Sequence, residues 1–180
     1  TRSLLACQHD EHIGILLVDV NRFRSINERF GHQFGDQLLV TWATRLRRCL
    51  QPTDTLARIG VDDFAIVRSG SPGEGAMMAL GREVEELARH PFRLPRETIN
   101  LSATVGIALS EEGETEAGAL LRDGQTALFQ AKSGNRSNNR VLMFNRSMRT
   151  EVLGSHRLMN DLPQAIGRDE LFLQYQPVVD

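Results

Sequence analysis

The sequence predicts an α+β domain: a central, mainly antiparallel sheet flanked by helices, with a β-hairpin set into it. Three observations carry this. His12–Val20 (HIGILLVDV) is a near-continuous aliphatic and β-branched run, as expected of a central buried strand. Residues 55–67 hold two short apolar runs, Leu56–Ile59 and Phe64–Val67, around a Gly60-Val61-Asp62-Asp63 tip that reads as a hairpin turn. Several other stretches space their apolar residues three and four apart, as on one face of a helix. An antiparallel hairpin inside a mixed pattern argues against a doubly wound parallel sheet.

Taken in order, the central strand is followed by a short helix over Asn21–Phe30 (Phe23, Ile26, Phe30), which Gly31 closes. Helical spacing resumes over Gln33–Leu50 through Leu38, Leu39, Trp42 and Leu46, and stops before Pro52. After the hairpin, Ser69–Gly75 is a loop and Ala76–Arg89 a helix that Pro91 ends. Ile99–Leu109 is a long strand with Gly106 as a bulge. Glu111–Glu116 is an acidic turn, Ala117–Ser133 a helix, Asn135–Asn139 a polar turn and Val141–Phe144 a last strand. An amphipathic helix over residues 146–168 then leads to a new strand, Leu171–Val179.

Composition narrows the function classes. A chain of 180 residues with 41% hydrophobic and 24% charged residues buries a proper core. Its net charge of −2 points away from a broad nucleic-acid surface or an anionic membrane. The longest apolar run is too short to span a bilayer, so no membrane contact is expected of it. Cys7 and Cys49 have no metal-ligand spacing and suit reduced thiols in a cytoplasmic setting. Of the 21 basic residues only Lys132 is a lysine. Either an Arg-rich codon bias spared it by chance, or a compact ammonium is needed there.

Several residues are candidates for chemistry. Two adjacent carboxylates at an exposed tip, Asp62 and Asp63, suit a hard cation such as Mg²⁺ held against a phosphate chain, although Gly and Asp also favour turns for backbone reasons alone. Asp19, at the C-terminal end of the central strand, fits a helix N-cap or, with Asp62 beside it, a two-carboxylate metal site. Asn27 and Asp36 lie on helices joined through Gly31 and fit either caps or a grip on a purine edge. Lys132 and Arg136, four apart at a helix end, fit a phosphate clamp or a complement to the helix dipole.

The ordered set Asp19-Val20-Asn21-Arg22-Phe23-Arg24-Ser25-Ile26-Asn27, Gly31-His32, Gly35-Asp36, Arg58 to Phe64 and Ala131-Lys132 with Arg136 resembles the GGDEF domain family. These are diguanylate cyclases, which condense two GTP into cyclic di-GMP. The resemblance covers residues 1 to about 145, with an N-terminus expected to be truncated. Residues 146–170 would be a linker helix. Leu171–Asp180 (LFLQYQPVVD) is similar to the opening strand of an EAL phosphodiesterase domain.

The resemblance implies a palm-like fold and a residue-by-residue assignment. Asp19, the Val20 carbonyl and Asp62 would ligate Mg²⁺ (or Mn²⁺). Asp62 and Asp63 would be the catalytic acids, and Gly60 and Val61 would line the substrate. Asn27 and Asp36 would read guanine, while Lys132 and Arg136 would hold phosphates. Arg24 stands where a lysine is common. GTP is the implied partner, with the downstream EAL domain in the same chain and a second copy facing the first, since each domain holds one GTP.

The signature here is Gly-Val-Asp-Asp-Phe. Val61 replaces a second glycine, and a hairpin tip that required a positive φ there would be strained by roughly 1–3 kcal/mol. A β-branched side chain would also occupy space that glycine leaves to phosphates. Asp63 replaces a glutamate and is about one carbon–carbon bond, ~1.5 Å, shorter. Misplacement on that scale can cost about 100-fold in rate. The product-inhibition motif Arg-x-x-Asp is Gln51-Pro52-Thr53-Asp54, without its arginine. The sequence therefore predicts a degenerate domain that binds GTP–Mg²⁺ and regulates an EAL domain. The alternatives are an active cyclase and a nucleotide-free docking module.

Overall fold

A computed structural model of the protein describes residues 12–95, 97–110, 116–133, 140–149 and 168. The chain divides into two compact units, 1–145 and 146–180. Of the second, residues 146–149 are helical, while most of the expected 146–168 helix and all of the Leu171–Val179 strand lie outside the described residues. All of the acidic turn but Glu116, and the whole Asn135–Asn139 turn, lie outside them as well.

The first unit is built on a five-stranded sheet in the order β2-β3-β1-β6-β7. Its strands are β1 (Gly14–Val20), β2 (Thr55–Arg58), β3 (Asp63–Arg68), β6 (Ala103–Leu109) and β7 (Val141–Met143). All pairings are antiparallel except β6 with β7. Among the described residues four helices flank it: α1 (Phe23–Phe30), α2 (His32–Leu46), α3 (Glu74–Arg89) and α4 (Ala117–Ser133). A separate ribbon pairs β4 (Phe92–Arg93) with β5 (Thr98–Ile99). The fold is α+β, as the sequence predicts. Among the described residues, no helix is long and apolar enough to cross a membrane.

Strand β1 shows why its sequence is almost uninterruptedly apolar. Alternate side chains of a strand point to opposite faces. Leu16, Val18 and Val20 join Trp42, Ile66, Met77 and Val84 in one core, while Ile15 and Leu17 join Ala65, Ala108 and Leu120 in another. Both faces are buried, and every residue of β1 with them. Asp19 falls in the phase of Ile15 and Leu17, so it emerges on the face covered by α4.

Three expectations need correction. Gly106 is not a bulge: it stands in unbroken register opposite both Leu17 and Leu142. A Cβ there would run into the backbone of α4 at Gly124 and Leu128, so the glycine lets a helix lie directly on the sheet. The predicted Ile99–Leu109 strand is two elements, because residues 100–102 leave the ribbon before β6 begins, and Ser102 O accepts the Asn21 N–H there. The helix predicted to Leu50 ends at Leu46; beyond it the Arg48 and Cys49 N–H groups turn back to the carbonyls three residues earlier.

Candidate functional site

The carboxylates of Asp19, Asp62 and Asp63 meet at one end of the sheet, each offering an oxygen within 4.8 Å of the others. Register brings them together. Asp19 sits directly opposite Asp63 across the β1–β3 pair. Asp62 lies in the turn just before β3, and its carbonyl accepts the Val20 N–H at 3.2 Å, tying the turn to the end of β1. Gly60 makes room for this, since a Cβ there would stand 2.5 Å from the Asp63 carboxylate. Asp63, although shorter than a glutamate, is drawn into the cluster.

Lys132, at the last turn of α4, donates to Asp19 Oδ2 at 2.6 Å. Three carboxylates thus share one ammonium. Burial pushes the Asp62 carboxyl above its ordinary range, and the Asp19 charge adds to this. Asp63 is raised by burial, by Asp19 and Asp62, and by a hydrogen bond to Asp19. A site of oxygen donors crowded with uncompensated negative charge fits a hard divalent cation, which prefers such ligands.

The turn itself departs from expectation. Among the described residues only Arg22 and Ser71 are non-glycine residues with positive φ, so Val61 adopts its conformation without left-handed strain. Gly60 is not left-handed either. The tip is held by Arg58, which donates from Nε to the Gly60 carbonyl at 3.1 Å and from a terminal nitrogen to the Val61 carbonyl at 2.7 Å. Arg58 opens the run Arg58 to Phe64 that carries the family resemblance, but the sequence reading assigns it no role. Val61 is 67% exposed and Ile59 51%.

The remaining candidates sit around this centre in different ways. Asn27 lies against α2, where Gly35 has no side chain because the Asn27 amide and the Phe23 ring occupy that space. The Asn27 Oδ1 is buried with no hydrogen-bond partner. A buried acceptor left open costs free energy unless a ligand meets it. Asp36 is exposed in the second turn of α2 and is no cap, because α2 starts at His32 with Gly31 as its N-cap and no side-chain hydrogen bond. Arg24 is solvent-facing and pairs with Glu28 at 2.9 Å. Arg136 lies outside the described residues. Asp54 is taken up elsewhere, its two oxygens bound by Arg68 at 2.9 and 2.6 Å.

Comparison with known proteins gives the family. Residues 1–138 match the model of the family described as diguanylate cyclase, GGDEF domain. The cyclic di-GMP phosphodiesterase PdeR of Escherichia coli (strain K12) is 32% identical over 93% of this chain and 25% of its own length. The bifunctional diguanylate cyclase/cyclic di-GMP phosphodiesterase MucR of Pseudomonas aeruginosa is 32% identical over 97% of this chain and 25% of its own. The chain thus spans about a quarter of these relatives. Among solved structures, an EAL/GGDEF domain protein from M. capsulatus superposes with a TM-score of 0.70 at 35% identity, covering 80% of this chain and 92% of that one. The GGDEF domain of TpbB from P. aeruginosa gives 0.75 at 30% identity, covering 84% and 88%. By sequence and fold, the chain belongs to the GGDEF domain family of cyclic di-GMP signalling.

Proposed function

We propose that this is a degenerate GGDEF domain that binds GTP with Mg²⁺ (or Mn²⁺), condenses it weakly or not at all, and regulates an EAL phosphodiesterase domain that follows it. The observation that carries the binding half is the convergence of Asp19, Asp62 and Asp63 within 4.8 Å beside Lys132. Asp19, Asp62 and the Val20 carbonyl would hold the metal, with Asp63 adjacent. A metal held by these residues would supply charge neutralisation for phosphoryl oxygens and a lowered pKa for an attacking hydroxyl. Lys132, relieved of Asp19, would turn to the phosphates, and Arg136 would support it. The open Asn27 acceptor would receive an N–H from guanine, and Asp36 would take the neighbouring donors.

The tandem arrangement is supported by the EAL-like tail, by the EAL/GGDEF structural relative and by the two-activity name of MucR. Residues 1–145 would be the GGDEF domain, 146–170 the linker and 171–180 the first strand of the EAL domain, in a cytoplasmic portion of the protein. Asp54 is engaged by Arg68 and the partner arginine of the inhibitory motif is absent, which supports loss of product inhibition at that site.

A second function, an active cyclase working as a homodimer, is favoured by two observations: Val61 is unstrained and the three acids still converge. Calorimetry with GTP and Mg²⁺ decides the binding half, and no detectable binding at millimolar nucleotide overturns it in favour of a nucleotide-free docking module. Incubation with GTP decides catalysis. Cyclic di-GMP formed at a rate typical of a cyclase and abolished by Asp62→Ala identifies an active enzyme.

A further inference from the structure

On the side of α1 away from Asn27 and Asp36 lies an open groove of about 920 Å³, bounded by α1, the segment 97–102 and the end of α4. Its volume is that of a small-molecule site. Arg22, Arg29, Lys132 and Arg140 line it, against one acid, Glu97. Among the described residues, Arg22, Arg29 and Arg140 make no ion pair, although the chain as a whole is net negative. Three guanidinium groups gathered on one concavity without an acid apiece repel each other, and an anion relieves that repulsion.

The rest of the lining suits a bound small molecule. Ile26, Phe30, Ile99 and Leu101 give it an apolar part, and Arg29 lies 4.8 Å from the Phe30 ring centre. Asn21 bridges Ser102 and the buried Thr104 through hydrogen bonds of 3.0 and 2.9 Å, which fixes the polar wall. Arg22 is held at φ 59, a conformation an L-residue adopts only at a cost.

We propose that this groove is a second binding site, for a phosphate-bearing small molecule, that works without the base-reading side of the domain. Lys132 is its link to the acidic triad, because an anion in the groove competes with Asp19 for the same ammonium. The ligand is recognised by two or more phosphate charges, carried either by free pyrophosphate or by the phosphate chain of a nucleotide. The site does not depend on the domain's catalytic competence.

The test is calorimetric titration of the 180-residue chain with inorganic pyrophosphate in excess EDTA, so that no metal at the triad contributes. Saturable binding that weakens with rising salt is expected. Arg29→Gln with Arg140→Gln should weaken it about tenfold or more while leaving the melting midpoint in place, since two charge-assisted contacts are lost. Arg29→Lys with Arg140→Lys should recover most of the affinity, and Asp36→Ala should leave it unchanged. Competition by GTP without metal would place the nucleotide phosphate chain in the groove, whereas pyrophosphate binding that GTP does not compete away would place the free anion there. Absence of binding by the wild type overturns the proposal, as does equal affinity in the glutamine pair. A lysine pair no better than the glutamine pair, or competition by guanosine, overturns it too.

Discussion

At its Arg68 end, strand β3 closes against the turn after α2 through a two-pronged ion pair with Asp54, whose side chain has no solvent exposure. At its Asp63 end, the same six-residue strand delivers a carboxylate into a cluster of three acids sharing one lysine. The first end has its charges matched. Burial pushes Asp54 up, but the hydrogen bonds from Arg68 and the Gln51 N–H prevail and hold it below its ordinary range. The second end is left unmatched, and Asp62 and Asp63 are held above theirs. Stability is concentrated at one end of the strand, and an unmet demand for a cation at the other. The difference teaches that burial raises the carboxyls at both ends, and that a matching cation with hydrogen bonds overrides it at one end only.

The largest expected effect is on the unmatched end. Asp62→Ala should weaken Mn²⁺ binding, followed by calorimetry, by about 100-fold or more, because loss of a mere supporting group already costs roughly 10–100-fold. Retained affinity would show that the triad is not the metal site. The matched end should answer in stability. Arg68→Met leaves a buried carboxylate without its counter-charge, held only by the Gln51 N–H, and should lower unfolding free energy in urea by about 3 kcal/mol, with little change in metal affinity.

A smaller effect separates the two ends by pH. Asp54 is depressed, so its charge adds stability that is complete above the unfolded value of about 4 and is lost as pH falls through the lower folded value. The difference between wild type and Asp54→Asn should therefore vanish on acidification. Asp62 and Asp63 are raised, so in EDTA their charges weaken the fold at neutral pH and the penalty fades as pH falls through the raised values. Asp62→Asn should melt at or above the wild-type temperature at neutral pH, with the gap closing in acid. A lower melting temperature at neutral pH would break the comparison. The smallest effect is expected from Val61→Gly. With no positive φ to relieve, the change should lower stability by about 0.5–1 kcal/mol. A concomitant rise in cyclic di-GMP formation would show that the valine side chain limits catalysis.

Much of this architecture was legible beforehand because it rests on local patterns. The β1 run, the span of α4 and the Gly31 break between α1 and α2 follow from periodicity and glycine conformation, and Gly31 does sit at φ 85. The register that sets Asp19 opposite Asp63 was not legible, since it depends on how two strands far apart in the chain align. The Val61 strain was overestimated because Arg58 satisfies the turn carbonyls from its own side chain. Gly106 was misassigned because the helix backbone that needs it comes from residues 124–128. The same limit hid the groove, whose cations come from Arg22 before α1, from α1, from α4 and from Arg140.

The sequence by itself determined which elements form and which acids and bases are available, because propensity, apolar spacing and glycine placement act over a few residues. The tertiary structure alone decided which charges meet. Asp54 received an arginine and lost any free role, while Asp19, Asp62 and Asp63 were brought to one sheet end with a single lysine among them. Whether a carboxylate stabilises the fold or waits for a cation is set by what lies within a few ångströms of it, and that distance is a property of the packed sheet.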